Sequence, residues 1–94
     1  MAYVNKDPVD PTLEKLKRSK VLVVDDFANF RRTVKGMLKS LGITNIVDTF
    51  DGESALMRMS VSKYDAILCD YNLGAGKDGQ QVLEEARHYN YLSY

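Results

Sequence analysis

The sequence predicts an α/β domain: a parallel sheet with helices on both faces. Three observations carry this. Val21-Leu22-Val23-Val24 and Ala66-Ile67-Leu68-Cys69 are apolar at consecutive rather than alternate positions, the pattern of strands covered on both sides. Each run stops abruptly at acid, Asp25-Asp26 in one case and Asp70 in the other. Segments with apolar residues at helical spacing separate the runs, so the order reads βαβαβα, which calls for parallel strands joined by right-handed crossovers.

The elements follow in order. Residues 1–19 read as a leader, partly flexible, with Pro8 and Pro11 in a polar stretch that suits extended or turning backbone. Thr12 is placed to cap a short turn carrying Leu13 and Leu16, and Lys15, Lys17, Arg18 and Lys20 form a solvated basic lead-in. After the first strand, Phe27, Phe30, Val34, Met37, Leu38 and Leu41 mark the apolar side of a helix. Arg31, Arg32, Lys35 and Lys39 fall mainly on its other side. Gly42 ends this helix, whereas Gly36 within it costs about 1 kcal/mol relative to alanine and implies close packing or a tolerated weakness. Asn45–Phe50 is shorter and more polar, as an edge strand is. Asp51-Gly52 turns the chain into a helix with Ala55, Leu56 and Met59, and the third strand spans Tyr64–Cys69. A loop rich in glycine, residues 74–79, then leads into a helix with Val82, Leu83 and Ala86 inward and Glu84, Glu85 and Arg87 outward.

Composition narrows the function. The chain has 94 residues, 45% hydrophobic and 28% charged, the balance of a folded domain rather than a disordered one. Thirteen basic and thirteen acidic residues cancel, which removes the electrostatic case for nucleic acid or an anionic membrane. One cysteine makes no internal disulfide and no thiolate metal site. No apolar run approaches the roughly 20 residues of a membrane span, and the N-terminus lacks a signal-peptide core. A reduced, cytoplasmic setting is expected.

The placing of the acids is the most informative feature. Asp25, Asp26 and Asp70 lie just past the C-terminal ends of two strands expected to be neighbours, the edge at which open α/β sheets bind ligands. At ~4 Å and an effective dielectric near 20, each close carboxylate pair costs roughly 4 kcal/mol. A divalent cation offsets that repulsion, and oxygen ligands without a His or Cys cluster favour Mg2+. The competing reading, that strand-terminal aspartates are helix N-caps, explains one such residue better than three.

Val21–Phe27, the helix with Phe30-Arg31-Arg32, Asp51-Gly52 with Ala55-Leu56, and Tyr64–Asn72 together resemble the receiver domain of two-component response regulators, chemotaxis-type receivers above all. The resemblance covers about residues 19–90. It implies a flavodoxin-like doubly wound sheet, here strands 1–3 in the order 2-1-3. Residues 20–94 are then the N-terminal part of a receiver, without its last two strands and helices. It also implies that Asp70 is the phosphoacceptor. The resemblance further implies that Mg2+ is bound directly by Asp26 and Asp70, through water by Asp25, and by the backbone carbonyl of Asn72. The implied donor is a histidine kinase or phosphotransfer domain, docking on a surface that includes Arg31, Arg32 and Lys35. Receivers are switches rather than enzymes.

Two features depart from the family pattern. The loop after Asn72 lacks the usual proline and reaches its closing glycine, Gly79, one residue late. No later strand supplies the hydroxyl residue and the lysine that bind and read the phosphoryl group; Lys77 and Ser93 are wrongly placed. Poor phosphorylation of these 94 residues is therefore expected. So is self-association, through the open edge of strand 3 and the tail with Tyr89, Tyr91, Leu92 and Tyr94. Two alternatives stay open: an interaction module of receiver shape that is not phosphorylated, and an aspartate-nucleophile phosphatase of the haloacid-dehalogenase type. The second wants an acid at position 72, where this chain has Asn72. Cys69, preceding the acceptor on an alternating strand, is expected to point away from the site as a small buried filler. His88 has no visible partner for phosphotransfer or metal binding.

Overall fold

A computed structural model describes residues 11–74 and 76–92 of the chain. Its elements are α1 (Pro11–Lys17), β1 (Lys20–Val24), α2 (Ala28–Ser40), β2 (Asn45–Thr49), α3 (Gly52–Val61), β3 (Ala66–Cys69) and α4 (Gly79–His88). The expected leader thus contains a helix, α1; the polar stretch before Pro11 lies outside the described residues. The strands are parallel and ordered β2-β1-β3. Val24 at the end of β1 is level with Thr49 on one side and Cys69 on the other, so the residues that follow all three strands emerge along one edge.

Strand β1 is central, and its side chains divide the core in two. Leu22 and Val24 face Ala55 and Met59 of α3 and Val82 and Ala86 of α4, with Tyr64, Leu73 and Leu92 closing that cluster. Val21 and Val23 point the other way, to Ile43, with Val34 and Leu38 of α2 packed alongside. Burying a valine or leucine fully contributes about 1.5–3 kcal/mol. An unbroken apolar run on β1 therefore stabilises both faces at once, which is why the strand shows no alternation in sequence.

Two helices are rotated relative to the sequence expectation. On α2 the residues turned to the sheet are Arg31, Val34, Lys35 and Leu38, whereas Phe27, Phe30, Met37 and Leu41 are exposed. The cause is Asp48 on β2, which takes Arg31 and Lys35 at 3.0 Å each and draws that basic pair inward. On α4 the buried stripe is Val82 and Ala86 alone; Leu83, expected inward, is exposed. Glu85 takes the neighbouring half-buried place and lies 3.2 Å from the Lys77 ammonium.

The ends of the helices are well specified. Helix α2 closes with Ile43 N–H donating to the Leu38 carbonyl at 3.0 Å and Gly42 N–H to that of Lys39 at 2.9 Å, a Schellman motif. Asp51 caps α3 through the Ser54 N–H at 2.8 Å. Asp78 and Gln81 form a reciprocal capping box on α4. Gly36 has no close packing to explain it, since a Cβ there would meet nothing within 4 Å. Gly36→Ala is expected to raise stability by about 0.5–1 kcal/mol, read as an upward shift in thermal midpoint; a downward shift would show that the glycine is needed.

Candidate functional site

The strand ends build the site. Beyond Val24 the ladder continues for one more residue: Asp25 N–H donates to the Thr49 carbonyl at 3.2 Å, and Asp70 N–H to the Val24 carbonyl at 2.9 Å. That step brings the acids following β1 and β3 side by side. Asp25, Asp26 and Asp70 each offer a carboxylate oxygen, and the three lie within 4.8 Å of one another. Asp25 is buried at 6% exposure, and its Oδ1 accepts from the Phe27 N–H at 2.9 Å. Asp26 and Asp70 are exposed. None of the three caps a helix: the N-cap of α2 is Phe27, with no side-chain cap bond, and capping falls to Asp51 and Asp78.

The loop from β3 to α4 leans on this cluster. Asn72 Oδ1 accepts from the Gly74 N–H at 3.1 Å, so the side chain shapes the turn and the backbone carbonyl is the ligand atom to consider at this position. Gly74 has φ +75°, and a Cβ there would lie 3.1 Å from Asp26 Oδ2. Leu73 is buried in the core, which anchors the start of the loop. At its far end the Gly79 N–H donates to the Tyr71 carbonyl at 2.7 Å. Lys77 reaches Glu53 of α3 and Glu85 of α4 at 3.3 and 3.2 Å; these carboxylates, Glu85 foremost, raise its pKa. The lysine thus ties the loop to the α3–α4 seam instead of reaching Asp70. Among the described residues no cationic side chain pairs with Asp70.

Other residues singled out by sequence fall as follows. Cys69 is exposed, contrary to expectation, because β3 is the outer strand of the sheet that the described residues form. Partial desolvation first, then the charges of Asp70 and Asp25, push its thiol pKa up, which favours the protonated form. Of the expected docking cations, Arg31 and Lys35 are engaged by Asp48, while Arg32 stays exposed and donates to Asn29 Oδ1 at 3.1 Å. His88 packs edge-on against Tyr89 at 5.0 Å, away from the acids. Asp48 is a residue that the sequence pattern does not single out. Burial raises its pKa, but the hydrogen bonds and charges of Lys35 and Arg31 outweigh that and hold it below the ordinary value of 3.8. A detectable signal existed: an acid on an edge strand following a helix with Arg and Lys at i, i+4.

The donor set fits a hard divalent cation. It is all oxygen, with one buried and two exposed carboxylates, and Mg2+ characteristically combines one or two carboxylates with retained waters. The C-terminal edge of a parallel sheet and a loop that folds back over it define a class of protein. The chain belongs to the response regulator receiver domain family, whose model matches residues 21–92. It is similar to the chemotaxis protein CheY of Pseudomonas aeruginosa, 37% identical over 68 residues, covering 72% of this chain and 54% of that protein. It is also similar to the chemotaxis protein CheY-3 of Vibrio cholerae serotype O1, 37% identical over 71 residues, covering 76% and 54%. The chain spans about half the length of these curated relatives. Among the described residues no helix is long and apolar enough to cross a membrane.

Proposed function

We propose that this chain carries the phosphoacceptor site of a two-component receiver, with Asp70 accepting a phosphoryl group from a histidine kinase or phosphotransfer domain. The supporting observation is the convergence of three carboxylates from the ends of β1 and β3 within 4.8 Å. Asp70 is exposed, so its oxygen has a free approach to phosphorus. A new O–P bond forms there as the P–N bond of the donor phosphohistidine breaks, and the leaving imidazole takes a proton. Asp25, Asp26, Asp70 and the Asn72 carbonyl would hold Mg2+, which offsets charge on the transferring group. The donor would dock on the exposed surface of α2, with Arg32 on one flank and Phe30, Met37 and Leu41 on the other; Arg31 and Lys35 contribute less, being drawn onto Asp48.

One observation favours a second reading, an interaction module without phosphorylation: Lys77, the cation of the loop after Asn72, is held by Glu53 and Glu85. Beryllium fluoride, a phosphoryl mimic, separates the two. The 94-residue chain is expected to take it up weakly. Fusion to the remaining half of the Pseudomonas relative should give a Mg2+-dependent bound 19F resonance that Asp70→Ala abolishes. Absence of that resonance from a folded fusion that still binds Mg2+ would favour the interaction module. The phosphatase alternative is weakened by position 72, where Asn72 turns its side chain to the Gly74 N–H.

Self-association of the 94-residue chain is supported by the outer edge of β3, which carries Leu68 at 44% exposure and Cys69 without the charge or proline that guards such edges. The aromatic tail contributes less than expected, because Leu92 is buried and Tyr91 half-buried, stacked on Tyr89. Tyr94 lies outside the described residues. Sedimentation across a concentration series should show a rising mass; a monomer at high micromolar concentration would contradict this.

A further inference from the structure

Asp25 and Asp26 are consecutive, and consecutive side chains of an extended strand point to opposite faces. For both carboxylates to approach Asp70, the backbone must leave the strand at Asp25, and something must hold the peptide between the two acids in its new orientation. Asp25 Oδ1 takes the Phe27 N–H and secures the far side of that turn. The carbonyl of the Asp25–Asp26 peptide is secured by Arg31: its Nη1 donates to Asp25 O at 2.7 Å, while its Nε donates to Asp48 Oδ2 at 3.0 Å. Lys35 Nζ donates to the other oxygen, Asp48 Oδ1, at 3.0 Å. The guanidinium is therefore a rigid fork spanning from β2 to the end of β1. Its side chain is 19% exposed.

We propose that Arg31 is a positioning residue of the acidic site, fixing the Asp25–Asp26 peptide so that both carboxylates meet Asp70, with Asp48 holding the guanidinium in place. This rests on the site reading above and assigns Arg31 an internal part in place of a docking contact. The planar fork matters because a lysine, with a point charge on a flexible stem, does not reproduce two donors in fixed directions. Asp48 acts through Arg31 although it lies on the edge strand and is not one of the three clustered acids. Lys35 shares Asp48, whereas the bond to the Asp25–Asp26 peptide comes from Arg31, and so Lys35 serves as the internal control.

The test uses the 94-residue chain and Mg2+ itself, with two readouts: Mg2+ affinity by calorimetry, and the amide resonance of Asp26 in metal-free protein. Arg31→Met should weaken Mg2+ binding about tenfold or more, the usual effect of losing a group that orients a ligand, and should shift the Asp26 amide. Arg31→Lys should restore only part of each. Lys35→Met should leave affinity within about twofold and the Asp26 amide in place. Unchanged affinity and an unchanged amide in folded Arg31→Met would overturn the proposal, as would equal losses in Arg31→Met and Lys35→Met. If the unsubstituted chain binds no Mg2+, the metal-site reading fails by itself, and the metal-free Asp26 amide still decides the part played by Arg31. Should Arg31→Met not fold, Asp48→Asn supplies the same test: a smaller shift of the Asp26 amide in the same direction supports the proposal, and no shift overturns it.

Discussion

Asp26→Asn should make the metal-free protein more stable and, in the same step, remove its response to Mg2+. The three carboxylates lie within 4.8 Å of one another. A pair of like charges near 4 Å costs about 1 kcal/mol at the dielectric of water and about 4 kcal/mol at an effective value of 20. Asp26 is exposed, so the lower figure applies, and relief from its neighbours amounts to about 1–2 kcal/mol. In a domain of this size that raises the thermal midpoint by several degrees, at roughly 4–8 °C per kcal/mol. Mg2+ reverses the ranking. A cation that binds only the folded state stabilises it by about 2.7 kcal/mol at a concentration 100 times its dissociation constant, and the variant forgoes that gain. Thermal unfolding with EDTA and with millimolar Mg2+ should therefore show the two proteins exchanging order. An Asp26→Asn protein that melts below the parent in EDTA would show that the acids are not in mutual repulsion.

Gly79→Ala should damage fold and site together. Gly79 is the first residue of α4, and its N–H donates to the Tyr71 carbonyl at 2.7 Å. A Cβ there would collide with the Asp70 carbonyl oxygen and would lie 2.9 Å from Tyr71 Cα. Both obstacles are backbone, so neither can move aside as a flexible side chain does. The helix must shift away from β3, which loosens the contact of Val82 and Ala86 with Leu22 and Val24, or the peptide carrying Asp70 must shift instead. Overpacking of this kind costs about 1–3 kcal/mol, a large fraction of the 5–15 kcal/mol typical of whole domains. Chemical denaturation should report the loss, and residual folded protein should bind Mg2+ less tightly than the parent. A variant with parental stability would mean that the α4 N-terminus is free to rise from the strand.

The features legible in the sequence were those set by local pattern. The unbroken apolar run Val21–Val24 sits between two helical layers, and the acids after Val24 and Cys69 meet because the parallel register places those residues level. Gly42 closing α2 and Asp51 opening α3 depend on backbone geometry within a few residues. What could not be read depends on partners distant in sequence. Periodicity gives α2 an apolar side with Phe30, Met37 and Leu41, yet the helix turns Arg31 and Lys35 inward because Asp48 waits on β2, 17 and 13 residues further on. Cys69 has the apolar neighbours of a buried residue, but its exposure follows from the outer place of β3 in the order 2-1-3, which the family resemblance already implied, rather than from those neighbours. Lys77 lies close in sequence to the loop it tethers, but its two acids come from α3 and α4.

The claim that Asp70 is the phosphoacceptor is tested most directly by locating the phosphoryl group. Treatment with acetyl phosphate, reductive trapping of the acyl phosphate and peptide mass spectrometry report the modified residue. The account expects a single labelled position, Asp70, at low stoichiometry in the 94-residue chain, with labelling that disappears when Mg2+ is chelated. Labelling of a residue other than Asp70, or labelling of Asp70 that persists without Mg2+, would contradict it.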